Sequence, residues 1–235
     1  MKITDNKFIP YGRQNITDED ITSVIEVMKS DFLTQGPLVE VFENEVAKKL
    51  SSRYAIALNS ATSALHVTCL ALGLGKNDWL WTSPISFVAS ANCGLYCGAK
   101  IDFVDIDPLT GLISIDALRI KLERAKKENK LPKIVIPVHL GGASCDMESI
   151  KTLSDQYGFH VIEDASHAIG GKYQNKYVGN CVYSSATIFS LHPVKIITTG
   201  EGGIVTCNDK VIARKIKLLK SHGITKNKKD FIFKD

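Results

Sequence analysis

A lone lysine, Lys195, stands among apolar and hydroxylated residues in a turn-rich segment between two expected strands. The segment reads Phe189-Ser-Leu-His-Pro-Val-Lys-Ile-Ile-Thr-Thr-Gly-Glu-Gly-Gly203. A lysine held among apolar groups can lose its charge, and the free amine can then attack a carbonyl carbon to form a Schiff base. A lysine in a loop is more commonly a solvated cation, so this segment alone leaves both interpretations open.

Adjacent carboxylates and an imidazole follow a short buried strand in the segment Glu163-Asp-Ala-Ser-His167. Carboxylates at such a position need cationic or hydrogen-bonding partners. A buried aspartate beside a cationic ring nitrogen would hold that nitrogen protonated. The alternative is a capped helix start with a surface histidine.

Small and hydroxylated residues open an apolar helix in the segment Asn59-Ser-Ala-Thr-Ser-Ala-Leu65. Free backbone amides and the helix dipole at such a point attract anions, so a phosphate-sized ligand would fit there. N-capping by Ser60 or Thr62 explains the same residues equally well. No G-x-G-x-x-G follows a strand, and a G-x-x-x-x-G-K-[ST] loop is absent, which counts against a dinucleotide site and a P-loop.

Predicted helices and strands alternate along the chain and position these segments. Apolar spacing predicts helices at 18–29, 39–50, 62–72, 87–96, 116–129, 147–157 and 211–221, and strands at 54–58, 79–82, 101–105, 134–138, 160–163, 185–189 and 203–207. This alternation predicts one α/β domain, a three-layer α/β/α sandwich with a mainly parallel mixed sheet. Ligands of such sheets bind beyond the carboxyl ends of the strands.

Composition limits the function classes. The 235 residues include 29 Lys+Arg and 25 Asp+Glu, and a net charge of +4 is too weak to favour nucleic acid as a partner. The six cysteines show no zinc spacing, so we expect no metal site and a reducing, cytoplasmic environment. No apolar run is long enough for a membrane span, and no secretory leader is visible.

Taken together and in order, the motifs resemble the DegT/DnrJ/EryC1/StrS family of pyridoxal-phosphate sugar aminotransferases of fold type I. The resemblance runs from about residue 11 to 223. Its motifs are Leu33-Thr-Gln-Gly-Pro37, Phe42-Glu43, Asn59 to Leu65, Pro84-Ile-Ser-Phe-Val-Ala89, Pro137-Val-His-Leu140 with Asp146-Met147, Glu163 to His167, and Ser190 to Lys195 with Glu201-Gly-Gly203.

The resemblance implies roles in binding pyridoxal phosphate. Lys195 would form the Schiff base and then move protons between the cofactor and the sugar carbon, while Asp164 would pair with the pyridine nitrogen. Phe87 would stack on the ring, and His167 would lie near its phenolic oxygen. The phosphate would be held by Ala61, Thr62 and Ser190.

The resemblance also implies a substrate class. Leu33-Thr-Gln-Gly36, Ser60 to Leu65, Tyr173-Gln-Asn-Lys176 and His192-Pro-Val-Lys195 look most like a subgroup of pseudaminic acid biosynthesis. That subgroup transfers an amino group from glutamate to C4 of a UDP-linked 4-keto-6-deoxy-N-acetylhexosamine. Members of the family generally form homodimers, and the resemblance implies a homodimer here. The nucleotide-sugar site would be lined by Tyr11, Asp31, Phe32, Leu33 and Thr34.

Two departures from the family pattern bear on activity. Ile196 follows the lysine, where many members have Asn and the subgroup often has Pro. Residues 1–235 would form the cofactor-binding large domain with an N-terminal helical segment, without the family's small C-terminal domain. A catalytically incomplete fragment is therefore one alternative function. A dehydratase of the same fold is another, although that enzyme carries His in place of the lysine.

Overall fold

The computed structural model describes Pro10 and residues 12–225. Seven strands form one sheet: β1 (Tyr54–Leu58), β2 (Trp79–Thr82), β3 (Lys100–Phe103), β4 (Ile134–Ile136), β5 (His160–Asp164), β8 (Ala186–Ser190) and β9 (Gly203–Cys207). The strands β6 (Lys172–Tyr173) and β7 (Lys176–Tyr177) form a separate hairpin. The helices are α1 (Asp18–Lys29), α2 (Pro37–Leu50), α3 (Ala61–Ala71), α4 (Ala89–Tyr96), α5 (Ile115–Lys127), α6 (Met147–Tyr157) and α7 (Lys210–Lys220).

The sheet has the strand order β1-β9-β8-β5-β4-β2-β3. Strand β9 is antiparallel to both of its neighbours, β1 and β8, whereas all the other pairs are parallel. Six strands therefore point one way and β9 points the other. The carboxyl ends of the six strands and the amino end of β9 lie at the same edge, which is where the predicted chemistry falls.

Helices cover both faces of the sheet. Ile134 and Ile136 of β4 pack in one apolar cluster with residues of α3, α4 and α7, whereas Val135 between them packs with residues of α5 and α6. Ala55 of β1 packs with α2 in a third cluster. This alternation follows from the two-residue period of a strand. The predicted three-layer α/β/α fold with a mainly parallel mixed sheet is confirmed.

Helix α1 has the predicted bounds and begins with a capping box. The Thr17 amide donates to Asp20 Oδ2 at 2.8 Å, and the Asp20 amide donates to Thr17 Oγ1 at 3.2 Å. None of its residues is buried, so its apolar stripe is exposed, namely Ile21, Val24, Ile25 and Met28. Within the described part of the chain, no helix combines the length and apolar character that crossing a membrane requires.

Several element boundaries differ from the prediction. The strand predicted at 134–138 ends at Ile136, because Pro137 has no N–H to donate to the ladder. The helix predicted from residue 87 begins at Ala89. The β6–β7 hairpin was not predicted. Its turn places Gln174 and Asn175 at positive φ (46° and 64°), as a two-residue hairpin loop requires.

Candidate active site

A cavity of about 390 Å³ lies at the edge where β1, β5 and β8 end and β9 begins. Its size is that of a small-molecule site. All seven residues that the resemblance associates with a cofactor line this cavity: Ala61, Thr62, Phe87, Asp164, His167, Ser190 and Lys195. They come from segments far apart in the sequence, and the sheet brings them together.

The start of α3 offers backbone donors to the cavity. The Ser60 hydroxyl caps the helix by accepting from the Ser63 amide at 3.1 Å, and Ser60 O accepts from the Ala64 amide. The Ala61 and Thr62 amides are the first two of the helix and have no hydrogen-bond partner within residues 12–225. Both residues line the cavity, so these amides and the helix dipole can bind an anion there.

Gly203 allows β9 to lie against this helix start. It pairs with Leu58 of β1 on one side and with Ser190 of β8 on the other. A Cβ on Gly203 would lie 2.4 Å from Ser60 C and O and 2.6 Å from the Ala61 amide nitrogen. These are backbone atoms, which cannot move aside as a flexible side chain can. Any residue with a Cβ would clash with them, so only glycine fits here.

Gly203→Ala is therefore expected to displace the Ser60–Ala61 turn and to weaken the binding of phosphate groups at α3. We expect the dissociation constant for pyridoxal phosphate, measured by absorbance titration, to rise roughly tenfold or more. Gly75→Ala is the matched control, because nothing lies within 4 Å of a Cβ at that site and its φ is not positive. An unchanged dissociation constant in Gly203→Ala would refute this role of the glycine.

Asp164 presents a fixed carboxylate at the end of β5. Its side chain is buried, and it lines the cavity. Oδ1 accepts from the Ser166 hydroxyl at 2.7 Å and from the Ser166 amide at 3.1 Å, while Oδ2 accepts from the Ser90 hydroxyl at 2.6 Å. These donors satisfy a buried charge and orient the carboxylate for a cationic or N–H partner in the cavity.

His167 lies beside Asp164 and Lys195 in the cavity wall. Its Nδ1 accepts from the Gly141 amide at 3.3 Å, so the proton of the neutral ring is on Nε2. Burial lowers the pKa of His167 below its usual 6.5, and the positive charge of Lys195 lowers it further, against the opposite effect of Asp164. At neutral pH the ring is uncharged and can donate from Nε2.

The titration of His167 follows from these neighbours. In ¹H–¹³C NMR spectra we expect its midpoint below 6.5 and expect Lys195→Gln to raise it, because a nearby positive charge is removed. His66 is an internal control, since burial alone lowers its pKa. A His167 midpoint that does not respond to Lys195→Gln would show that the two side chains are not electrostatically coupled.

Lys195 is half-buried in a loop that follows β8. Its amide donates to His192 O at 2.9 Å, and the Thr198 hydroxyl donates to Leu191 O at 2.9 Å, so local hydrogen bonds hold the loop. Ile196, the departure from the family pattern, is 64% exposed and does not line the cavity. The isoleucine side chain is therefore not part of the cavity wall around the lysine.

Ser190 and Phe87 both line the cavity but differ in exposure. Ser190 is buried at the end of β8, and its hydroxyl accepts from the His192 amide at 3.4 Å. Phe87 precedes α4, is 72% exposed and also lines the cavity. An aromatic side chain in the cavity wall can pack against a planar ring, and the Ser190 hydroxyl can donate to a charged group.

None of the described residues predicted to bind the nucleotide-sugar is found in the wall of this cavity. Asp31, Phe32, Leu33 and Thr34 are exposed in the connection between α1 and α2 and do not line this cavity. Tyr11 lies outside the described residues. The role of these residues stays a prediction.

Several cavity residues had no predicted role. The hydroxyls of Ser86 and Ser166 belong to this group, as do His139, Glu201 and Gly202. All of them lie within a few residues of a strand end at the site edge. That position is the signal that could have identified them, because ligands bind at this edge in α/β sheets.

A buried polar network lies next to Asp164. Glu163 is buried and accepts hydrogen bonds from Ser184, from Thr187 at 2.7 Å and from His139 Nε2 at 2.8 Å. His139 Nδ1 accepts from the Cys145 amide at 3.2 Å, which places the ring proton on Nε2. Burial alone would raise the pKa of Glu163, but the hydrogen bonds from His139 and the hydroxyls bring it below its usual value.

Comparison with known proteins now adds to this geometry. The sequence profile described as the DegT/DnrJ/EryC1/StrS aminotransferase family matches residues 14–235. The chain belongs to this family.

Two members of the family illustrate the similarity. The chain is 41% identical over 220 residues to the UDP-4-amino-4,6-dideoxy-N-acetyl-beta-L-altrosamine transaminase of Campylobacter jejuni, covering 94% of this chain and 57% of that protein. It superposes with a TM-score of 0.85 on Helicobacter pylori PseC, an aminotransferase involved in the biosynthesis of pseudoaminic acid, at 36% identity, covering 94% of this chain and 58% of PseC. The chain thus spans little more than half the length of these relatives.

A third neighbour indicates the cofactor of the family. The putative sugar aminotransferase Spr1654 of Streptococcus pneumoniae has been solved in a PLP form, with a TM-score of 0.81 at 26% identity, covering 94% of this chain and 59% of Spr1654. A PMP form is also known. Pyridoxal phosphate is the cofactor that the family and these structures indicate.

The residues of this chain fit that group. Pyridoxal phosphate has a phosphate, a basic ring nitrogen and an aldehyde. The cavity provides a buried carboxylate at Asp164, an amine at Lys195, and the amides of Ala61 and Thr62, which have no partner among the residues that the structure describes. The amides can donate to the phosphate, the carboxylate can accept from the protonated ring nitrogen, and the amine can react with the aldehyde.

Proposed function

We propose that this chain is the cofactor-binding large domain of a nucleotide-sugar aminotransferase. In this proposal it transfers an amino group from glutamate to C4 of a UDP-linked 4-keto-6-deoxy-N-acetylhexosamine. The observation that carries the proposal is that Lys195, Asp164 and the free amides of α3 line one cavity. The similarity to the Campylobacter jejuni transaminase supports the choice of acceptor.

Pyridoxal phosphate, when bound, supplies an aldehyde for imine chemistry and an electron sink for the carbanion formed beside the nitrogen. The chain's own residues bind and orient it. Ala61, Thr62 and Ser190 hold the phosphate, and Phe87 covers one face of the ring. Asp164 holds a proton on the ring nitrogen, because its buried carboxylate favours the cationic form of a partner.

Lys195 has two tasks in this proposal. Its Nζ would hold the aldehyde carbon of the bound cofactor covalently, and once released it would take a proton from the cofactor carbon and deliver it to the sugar carbon being aminated. His167, neutral at pH 7, donates from Nε2 toward the phenolic oxygen and keeps that oxygen oriented.

The remaining parts of the site are assigned by the same proposal. Tyr11, Asp31, Phe32, Leu33 and Thr34 contact the nucleotide-sugar. The relatives are longer than this chain, and we propose that their additional length contains a small domain that completes the site. The active form is a homodimer in the cytoplasm.

The proposal is tested by mixing the chain with pyridoxal phosphate and following its visible absorbance. We expect a band that depends on Lys195 and that bleaches with L-glutamate but not with D-glutamate. Adding the UDP-linked 4-keto sugar should restore the band and yield an amino sugar by mass spectrometry, whereas UDP-N-acetylglucosamine should do neither. Absence of a Lys195-dependent band would refute the proposal for this chain.

A further inference from the structure

Ser90 reaches the carboxylate of Asp164 from a different element. It lies in α4, is fully buried, and its hydroxyl donates to Asp164 Oδ2 at 2.6 Å. A hydrogen bond from a hydroxyl to a carboxylate is of the strong, charge-assisted kind. Helix α4 therefore contributes directly to the orientation of the aspartate.

Ser86 contacts the hydroxyl of Ser90. The two hydroxyl oxygens are 2.6 Å apart, and Ser90 has only one hydroxyl proton, which is engaged with Asp164. If Ser90 keeps its bond to Asp164, a hydrogen bond between the two serines requires Ser86 to donate to Ser90, in place of its other acceptor, Phe87 O at 3.1 Å. Ser86 is half-buried and lines the cavity, so the two hydroxyls form a polarised chain from the cavity wall to the carboxylate.

The lone pairs of Asp164 show which oxygen is available to a ligand. Each carboxylate oxygen accepts about two hydrogen bonds. Oδ1 already accepts two, both from Ser166, whereas Oδ2 accepts only the one from Ser90 among the described residues. The acceptor position left for a donor in the cavity is therefore on Oδ2, the oxygen that Ser90 fixes.

We propose that Ser90, supported by Ser86, is a positioning residue that directs Asp164 Oδ2 at the pyridine nitrogen of the cofactor. This inference rests on the proposed function. A hydroxyl donor stabilises the charged carboxylate, and the charged carboxylate keeps the proton on the ring nitrogen. Ser90 thus acts through Asp164 and not on the substrate.

The test uses the full chain with pyridoxal phosphate labelled with ¹⁵N at the ring nitrogen. The ¹⁵N chemical shift reports directly whether that nitrogen carries a proton. We expect the protonated shift in the wild type, a move toward the unprotonated shift in Ser90→Ala, and the wild-type shift in Ser90→Thr, which keeps the hydroxyl. Ser90→Ala should also weaken cofactor binding by roughly tenfold.

Two further variants keep the test decisive if the buried site does not tolerate threonine. Ser86→Ala should move the ¹⁵N shift in the same direction by a smaller amount, because it weakens the donor without removing it. Ser114→Ala is the control for loss of a serine hydroxyl, since Ser114 caps α5 by accepting from the Ala117 amide at 3.2 Å and does not line the cavity. It should destabilise the chain without moving the ¹⁵N shift.

The outcomes separate this inference from the proposed function. If Ser90→Ala binds the cofactor through Lys195 with an unchanged ¹⁵N shift, the positioning role is wrong and the proposed function stands. If the wild type shows no Lys195-dependent binding of pyridoxal phosphate, the proposed function is wrong, and the proposed role of Ser90 is then wrong as well.

Discussion

Lys195→Ala should leave the chain folded and unable to hold pyridoxal phosphate covalently. The side chain is half-buried in a loop whose hydrogen bonds come from backbone and hydroxyl groups, so its removal costs little stability. It removes both the amine that attacks the aldehyde and the base that moves the proton. Loss of the acid–base role alone is expected to slow transamination by about 10² to 10⁴-fold.

Absorbance spectra and single-turnover rates with glutamate measure this effect. The visible band of the wild type should be missing in Lys195→Ala, while the free-aldehyde absorbance remains. Lys48→Ala, an exposed substitution on α2, is the control and should behave as the wild type. A glutamate-sensitive band that persists in Lys195→Ala would show that another amine performs the chemistry.

Glu163→Ala should lower the free energy of unfolding at pH 7 by about 3 to 5 kcal/mol. The reason is that two buried donors, from His139 and Thr187, and a half-buried one, from Ser184, lose their shared acceptor. Urea denaturation measures the change. Glu123→Ala, on the exposed face of α5, is the control and should change stability little.

The effect of Glu163 should depend on pH with a definite sign. Folding lowers the pKa of this carboxylate from 4.5, so its contribution is present above about that pH and is lost as the pH falls through the lower value of the folded state. The difference in stability between the wild type and Glu163→Ala should therefore shrink on acidification below pH 4.5. A difference that grows with acidity would contradict the ionised, hydrogen-bonded state of Glu163.

The elements of the fold were accessible from the sequence because their apolar spacing is regular. The helices at 18–29 and 147–157 and the strands at 54–58, 79–82 and 203–207 have the predicted bounds. The β6–β7 hairpin was missed because its strands have only two residues each, too few to show a period. The position of β9 between β1 and β8 depends on tertiary packing, which no local pattern encodes.

The sequence identified the site residues only where a charged residue type stands in an unusual, apolar context. Lys195 and Asp164 attract notice because an amine and a carboxylate near buried strands call for an explanation. Ser90 is an ordinary helical serine, and its contact with Asp164 joins residues 74 positions apart. Gly203 likewise requires knowledge that the start of α3 lies against β9.

The reversed strand β9 has a consequence for the order of folding. It lies between β1 and β8, so the start of α3 and the end of β8 are brought to the same edge only when β9 has been inserted. Pairing segments so distant in sequence is a slow step. During synthesis on the ribosome β9 emerges after the six other strands of this sheet, so the nascent chain cannot assemble a site for a reactive aldehyde until β9 has paired with β1 and β8.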